Sequence, residues 1–181
     1  MQDENPIPDL DIGHLTFVAG ISASGKTSFL SCLRDQAETR EKFGLPSDMP
    51  VLVNAMDLHE LSNKSIPSLI VHYDLMRPIR YNLPDYSDDY TLEILQKADF
   101  FQVVMLICPL RELLDRNRER FPAALSVERY KLFSESDYVL QRYLHWFNYL
   151  DTYFPDAKIN YACSNEQYSL LDKRNEFLDI L

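Results

Sequence analysis

The sequence predicts an α/β fold, a three-layer, doubly wound parallel sheet of about five strands, on two observations. Short apolar runs alternate with segments of helical periodicity along the whole chain, and strands separated by helices pair in parallel through right-handed crossovers. Between the first apolar run and the first helical segment lies the turn Gly20-Ile21-Ser22-Ala23-Ser24-Gly25-Lys26-Thr27, in a chain with only four glycines. At 181 residues the chain reads as one domain, large enough to bury a core without staples.

The elements follow in order. Residues 15–19 (LTFVA) form a continuous apolar run, as a strand buried on both faces does, and residues 28–41 carry helical spacing through Phe29, Leu30, Leu33 and Ala37. Residues 50–55 (PVLVNA), 68–73 (SLIVHY), 100–107 (FFQVVMLI) and 157–162 (AKINYA) are the remaining strands. Helical patterns occupy residues 90–97, 110–120, 136–153 and 166–180. The connection over residues 58–67 is short for a parallel crossover, which makes the pairing of the second and third strands the least determined part of the topology. Residues 82–89 (NLPDYSDD) have the composition of a mobile loop.

Composition narrows the function classes. The formal charge of −10 disfavours a sequence-independent grip on nucleic acid, which needs basic surface to release counterions. Positive charge is instead clustered, at Arg111, Arg116, Arg118 and Arg120. No apolar stretch approaches the roughly 20 residues that span a bilayer, and the acidic start MQDENPIPDLDIG is unlike a targeting peptide, so a cytoplasmic location is expected. Cys32, Cys108 and Cys163 are odd in number and widely spaced, pointing to neither a disulfide framework nor a zinc site.

The glycine-bounded turn carries the chemistry. Gly20 and Gly25 allow backbone N–H groups to point inward around an anion, and the helix that follows adds the positive end of its dipole. In this GxxxxGK[ST] spacing Lys26 reaches the β and γ phosphates of a nucleoside triphosphate, and the Thr27 hydroxyl ligates Mg²⁺. Gly20, Ser22, Ala23, Ser24, Gly25, Lys26, Thr27 and Ser28 are accordingly expected to hold ATP or another triphosphate. In an α/β sheet of this kind ligands bind beyond the carboxyl ends of the strands, where Gly20, Asp57, Asp74 and the turn at Pro109 all fall.

On these residues the chain resembles the P-loop nucleoside-triphosphate hydrolase superfamily, and within it small-molecule kinases of the gluconate, adenylylsulfate and nucleoside-monophosphate type. The apolar run ending in Asp74 resembles the Walker B position, which implies a magnesium-shell role for Asp74; a turn-capping aspartate is the alternative. Asp57 in MDLHEL resembles the aspartate after the second strand of gluconate and adenylylsulfate kinases, which faces the acceptor; an N-cap for the turn that follows is the alternative. The stretch VVMLICPLRELLDRNRER resembles the fourth strand and lid helix of such kinases, which implies that Arg116 and Arg120 close over the transferred phosphoryl group. A solvated helix stitched by i,i+3 and i,i+4 ion pairs is the competing reading. Arg77 and Arg80 in DLMRPIR are candidates for an anionic acceptor, and Cys163-Ser164-Asn165 falls where these kinases touch the nucleotide base. His72, flanked by apolar residues, reads as a satisfied core histidine.

No glycine follows Gly44, so the DxxG switch of GTPases has no place after the second or third strand, and Leu75 stands where motor and AAA-type ATPases carry an acidic residue. The expected function is an ATP- and Mg²⁺-dependent phosphotransferase acting on a compact small-molecule acceptor, with neither nucleic acid nor membrane as partner. A nucleotide-binding regulatory module without turnover and a sulfotransferase-like enzyme are the alternatives. Aromatic residues Tyr138, Tyr143, Trp146, Phe147, Tyr149 and Tyr153 lie on more than one face of one helix, which core burial, a homodimer contact or an acceptor-pocket wall would each explain.

Overall fold

The computed structural model describes residues 8–61, 65–120, 136–165 and 168–181. Six strands form one sheet: β1 (Asp11–Gly20), β2 (Val51–Asn54), β3 (Ser65–Asp74), β4 (Ala98–Ile107), β5 (Lys158–Cys163) and β6 (Ser169–Leu171), in the order β2-β3-β1-β4-β5-β6. All pairings are parallel except β5 with β6. The helices are α1 (Lys26–Asp35), α2 (Ala37–Lys42), α3 (Arg77–Arg80), α4 (Leu110–Arg120), α5 (Ser136–Tyr153) and α6 (Arg174–Leu178). The α/β class expected from the sequence is the class observed.

Central β1 is buried on both faces, and its alternate residues feed two separate cores. Leu15, Phe17 and Ala19 pack in the cluster that holds Tyr143, Trp146 and Phe147 of α5, while Val18 packs with Phe29 and Leu33 of α1. Period-two alternation therefore assigns each strand residue to one of two layers, which is why the run LTFVA is uncharged and buried throughout, with its one hydroxyl, on Thr16, accepting from Gln102 Nε2 at 3.4 Å. The aromatic residues of α5 are mostly core: Trp146 stacks on Tyr73 with ring centroids 5.1 Å apart, and of the six aromatic side chains only Tyr153 is more than half exposed, at 57%.

Four local expectations change. The helix expected over residues 28–41 forms as two, because Gln36 is extended at φ −124° and Arg40 turns back to donate to Leu33 O and Arg34 O at 2.7 and 3.0 Å, satisfying the carbonyls at the end of α1. The C-terminal helix expected from residue 166 is largely replaced by β6, which covers the edge that β5 would otherwise leave unpaired; only Arg174–Leu178 is helical, and Glu166 lies outside the described residues. The sheet thereby gains a sixth, antiparallel strand. The short connection between β2 and β3 is made by a 3-10 turn, Ala55–Glu60, whose rise of about 2 Å per residue carries the chain further than an α-helix of equal length.

Residues 82–89, expected as a mobile loop, are anchored instead. Asp89 is 2% exposed and accepts hydrogen bonds from Arg77, Tyr73 and Thr91, and Tyr86 Oη donates to Leu75 O at 2.9 Å. Among the described residues no helix is long and apolar enough to cross a membrane.

Candidate functional site

Register between β1 and β3 builds the floor of the site. Gly20, the last residue of β1, is the partner of Asp74, the last residue of β3, and Leu75 N donates to Gly20 O at 3.1 Å. The chain then turns through Ala23 at φ 67° and Gly25 at φ 93° into α1. A Cβ on Gly20 would stand 2.6 Å from Leu106 O, and one on Gly25 would overlap the Ser164 hydroxyl, so close approach requires glycine at both ends of the turn.

Lys26 opens α1 and is only 4% exposed, with Nζ donating to Gly20 O at 2.7 Å and Ile21 O at 2.6 Å. Burial lowers its pKa to about 8; Asp74 opposes that shift, while Arg120 and Arg80 add to it. Asp74 accepts from Ser22 Oγ at 2.7 Å, Met76 N at 3.0 Å and Arg80 Nη2 at 3.1 Å. Burial alone would raise the Asp74 carboxyl, but Lys26, the hydrogen bonds from Met76 N and Ser22 Oγ, and the charge of Arg80 hold it below the usual carboxylate range.

Across from the turn, α4 presents Arg116. Its Nη1 donates to Ser164 Oγ at 3.0 Å, and its Nη2 donates to Ser164 O at 3.1 Å and to Glu112 Oε2 at 2.8 Å. One guanidinium thus ties α4 to the segment leaving β5. Arg118 is well exposed and 3.9 Å from Asp115, which is the solvated-helix arrangement.

These elements enclose a cavity of about 940 Å³. Of the residues singled out in the sequence, Ser22, Ala23, Gly25, Lys26, Thr27, Ser28, Asp74, Arg116 and Arg120 line it, as do Arg80, Ser164 and Asn165. Gly20 and Ser24 lie outside the lining; both are buried, and Ser24 Oγ has no hydrogen-bond partner among the described residues. Asp57 is not brought in. It is exposed on the 3-10 turn after β2, and the neighbouring Asn54 at the end of that strand lines the cavity in its place. Arg77 is also absent: it is buried and bound to Asp89 through Nε at 2.7 Å and Nη2 at 3.2 Å.

Four lining residues were not expected, namely Asn54, His72, Glu112 and Tyr168. His72 had read as a core residue, but the alternation of β3 sets it on the same face as Asp74, two residues on, and that signal was present in the sequence. Burial first, then Lys26 and Arg120, push its pKa down to about 4 against the opposing pull of Asp74, so the ring is neutral at physiological pH. Tyr168, at φ 47°, packs its ring on Phe29 with centroids 4.9 Å apart and has no such signal.

No protein-family model matches this chain, and no curated protein is found similar to it. A solved structure described as the native AvrRxo1-ORF1:-ORF2 complex is similar at 12% identity and a TM-score of 0.41, covering 94% of this chain and 63% of that one. This chain thus spans 63% of the length of the one it matches, and likeness at that level carries no argument.

Chemically, the cavity joins a turn of backbone amides at a helix N-terminus, the buried cation Lys26, the carboxylates of Asp74 and Glu112, Arg80 beside Asp74, and Arg116 and Arg120 from α4. Among the described residues no group of three or more His, Cys, Asp or Glu is placed to hold a metal. Thr27 and Asp74 nonetheless line one cavity, and a hydroxyl with a single carboxylate matches the sparse oxygen set that Mg²⁺ takes when phosphates and water supply the rest.

Proposed function

We infer that this chain is a P-loop protein of the small-molecule kinase type, an ATP- and Mg²⁺-dependent phosphotransferase. The observation that carries the reading is the convergence of Lys26, Thr27 and Asp74 on one wall of the cavity with Arg116 and Arg120 of α4 lining the same cavity. The amides of the turn from Gly20 to Ser28 bind the phosphates, and Lys26 exchanges its two carbonyl partners for phosphate oxygens. Thr27 and Asp74 hold Mg²⁺, which when bound neutralises charge on the β and γ phosphates. Arg120 and Arg116 stabilise the charge that spreads over the transferred group. Phosphoryl transfer is governed by positioning and electrostatics, so it asks for no strong base, and Asp57 is not needed inside the cavity.

Isothermal titration of Mg·ATP into wild type and Lys26→Ala, with transfer of the γ-phosphate to small-molecule acceptors followed in parallel, tests the reading. Binding and transfer are expected for wild type and neither for the variant, with circular dichroism spectra that superimpose. A Lys26→Ala protein that binds Mg·ATP as tightly as wild type removes the nucleotide from the proposal. Binding without transfer to any acceptor favours a regulatory nucleotide-binding module.

A further inference from the structure

Arg80 lines the cavity and donates to Asp74, yet burial does not fix it there, because its side chain is 41% exposed. The helix that carries it cannot fix it either. α3 is four residues long, and a single helical turn has no stability in water without tertiary contacts.

What holds this stretch lies outside the cavity. Tyr73 precedes Asp74, Leu75 follows it and Arg77 opens α3, and all three bond to Tyr86 or Asp89, neither of which lines the cavity. Tyr73 Oη donates to Asp89 Oδ2 at 2.9 Å, and Tyr86 Oη donates to Leu75 O at 2.9 Å. Arg77 donates through Nε to Asp89 Oδ2 at 2.7 Å and through Nη2 to Oδ1 at 3.2 Å, with both side chains buried. Among the described residues Arg77 Nη1 has no partner, so Asp89 alone matches that charge. The support is itself stiff: Asp85 and Asp88 cap their turn reciprocally, and Trp146 packs on both Tyr73 and Tyr86, with ring centroids 5.1 and 5.0 Å away.

A two-point contact between a planar fork and a carboxylate fixes direction as well as distance. Arg77 therefore sets the axis of α3, and Arg80, three residues on, inherits it. The turn after β1 is independent of this support: among the described residues no hydrogen bond joins residues 85–91 to residues 20–28.

We propose that Asp89 is a positioning residue of the site, holding α3 and the end of β3 through Arg77 and Tyr73 so that the Asp74 carboxylate stays between Ser22 and Arg80. The inference rests on the phosphotransferase reading, in which Asp74 holds Mg²⁺, and adds a residue that touches neither nucleotide nor metal. Orientation is what this buried ion pair supplies, since apolar side chains of similar volume would stabilise the fold as well or better.

Calorimetry with ATP, once in EDTA and once in magnesium, tests it without any acceptor. The ratio of the two dissociation constants measures how far magnesium tightens binding. Asp89→Asn should reduce that ratio about tenfold relative to wild type, while the dissociation constant in EDTA moves less than about twofold. Arg77→Lys, which keeps the charge and loses the fork, should reduce it about threefold. Phe177→Leu, in the core against Tyr143, Phe147 and Tyr161, should lower the urea midpoint and leave the ratio unchanged. An unchanged ratio in Asp89→Asn, or in Arg77→Lys where Asp89→Asn does not fold, overturns the positioning role and leaves the phosphotransferase reading standing. A ratio that falls equally in Phe177→Leu also overturns it, by assigning the loss to general stability. Wild type that does not bind ATP, or binds it no tighter in magnesium than in EDTA, overturns the phosphotransferase reading and the positioning role with it.

Discussion

Gly25 lies directly against Ser164: a methyl group built on Gly25 would overlap the Ser164 hydroxyl, the same hydroxyl that accepts Arg116 Nη1 at 3.0 Å. The turn after β1, the segment after β5 and helix α4 are thereby locked through one side-chain oxygen. Gly25→Ala meets both this overlap and a backbone at φ 93°, which alone costs about 1–2 kcal/mol for a residue with a Cβ. Urea denaturation should show at least that loss. Nucleotide affinity should fall about tenfold, because the helix N-terminus is displaced from the phosphate position. A variant with wild-type stability and affinity would show that the turn relaxes freely.

Arg116 and Arg120 should separate kinetically. Arg116 is bound to Ser164 and Glu112, so Arg116→Ala releases the wall of the cavity and should raise KM for the nucleotide as well as lower kcat. Arg120→Ala should lower kcat about tenfold, roughly 1.4 kcal/mol of transition-state stabilisation, with little change in nucleotide KM. Arg118→Ala, at an exposed i,i+3 pair, should leave both constants unchanged. Equal behaviour of all three variants in steady-state kinetics counts against a lid role for α4.

The two aspartates singled out in the sequence should also differ, and more sharply than their motifs imply. Asp74→Asn removes the charge that faces Lys26 and Thr27 in the cavity, and should weaken the magnesium dependence of turnover markedly in a metal titration. Asp57→Asn alters an exposed residue outside the lining and should change kcat less than about threefold. A large kcat loss on Asp57→Asn would mean that the 3-10 turn moves inward when the acceptor binds.

Asp89 provides a stability prediction independent of ligands. Burial would raise its pKa, but hydrogen bonds from Arg77, Thr91 and Tyr73 hold it below the ordinary value of 3.8. The folded-state pKa lies below the unfolded one, so the stabilisation is fully present above about pH 4 and is lost as pH falls through the folded value. Asp89→Ala should cost about 3–5 kcal/mol at pH 7, since it strands the buried Arg77 charge. The gap between wild type and variant should narrow on acidification below about pH 4, as read from denaturation midpoints. A pH-independent gap would assign the loss to packing alone.

The glycine-bounded turn between β1 and α1 was legible because it is local: its glycines, lysine and threonine lie within eight residues, and their spacing encodes the geometry. Strand runs were legible for a similar reason, since burial on both faces leaves continuous apolar stretches such as LTFVA. The three-residue β6 was not, because so short an edge strand has no periodicity of its own and is decided by the open edge of β5.

By itself, then, the sequence determined the α/β class, the glycine-bounded turn between β1 and α1 and the absence of an apolar stretch long enough to span a bilayer, each a property of neighbouring residues. Only the tertiary structure decided which of two nearby arginines enters the cavity: Arg77 is taken by Asp89 and Arg80 reaches Asp74. It likewise decided that Asn54 and His72 stand at the cavity end and that Asp57 stays outside. Those outcomes follow from strand register and from buried charges finding partners far along the chain. Both are long-range pairings, and no local pattern of residue types records them.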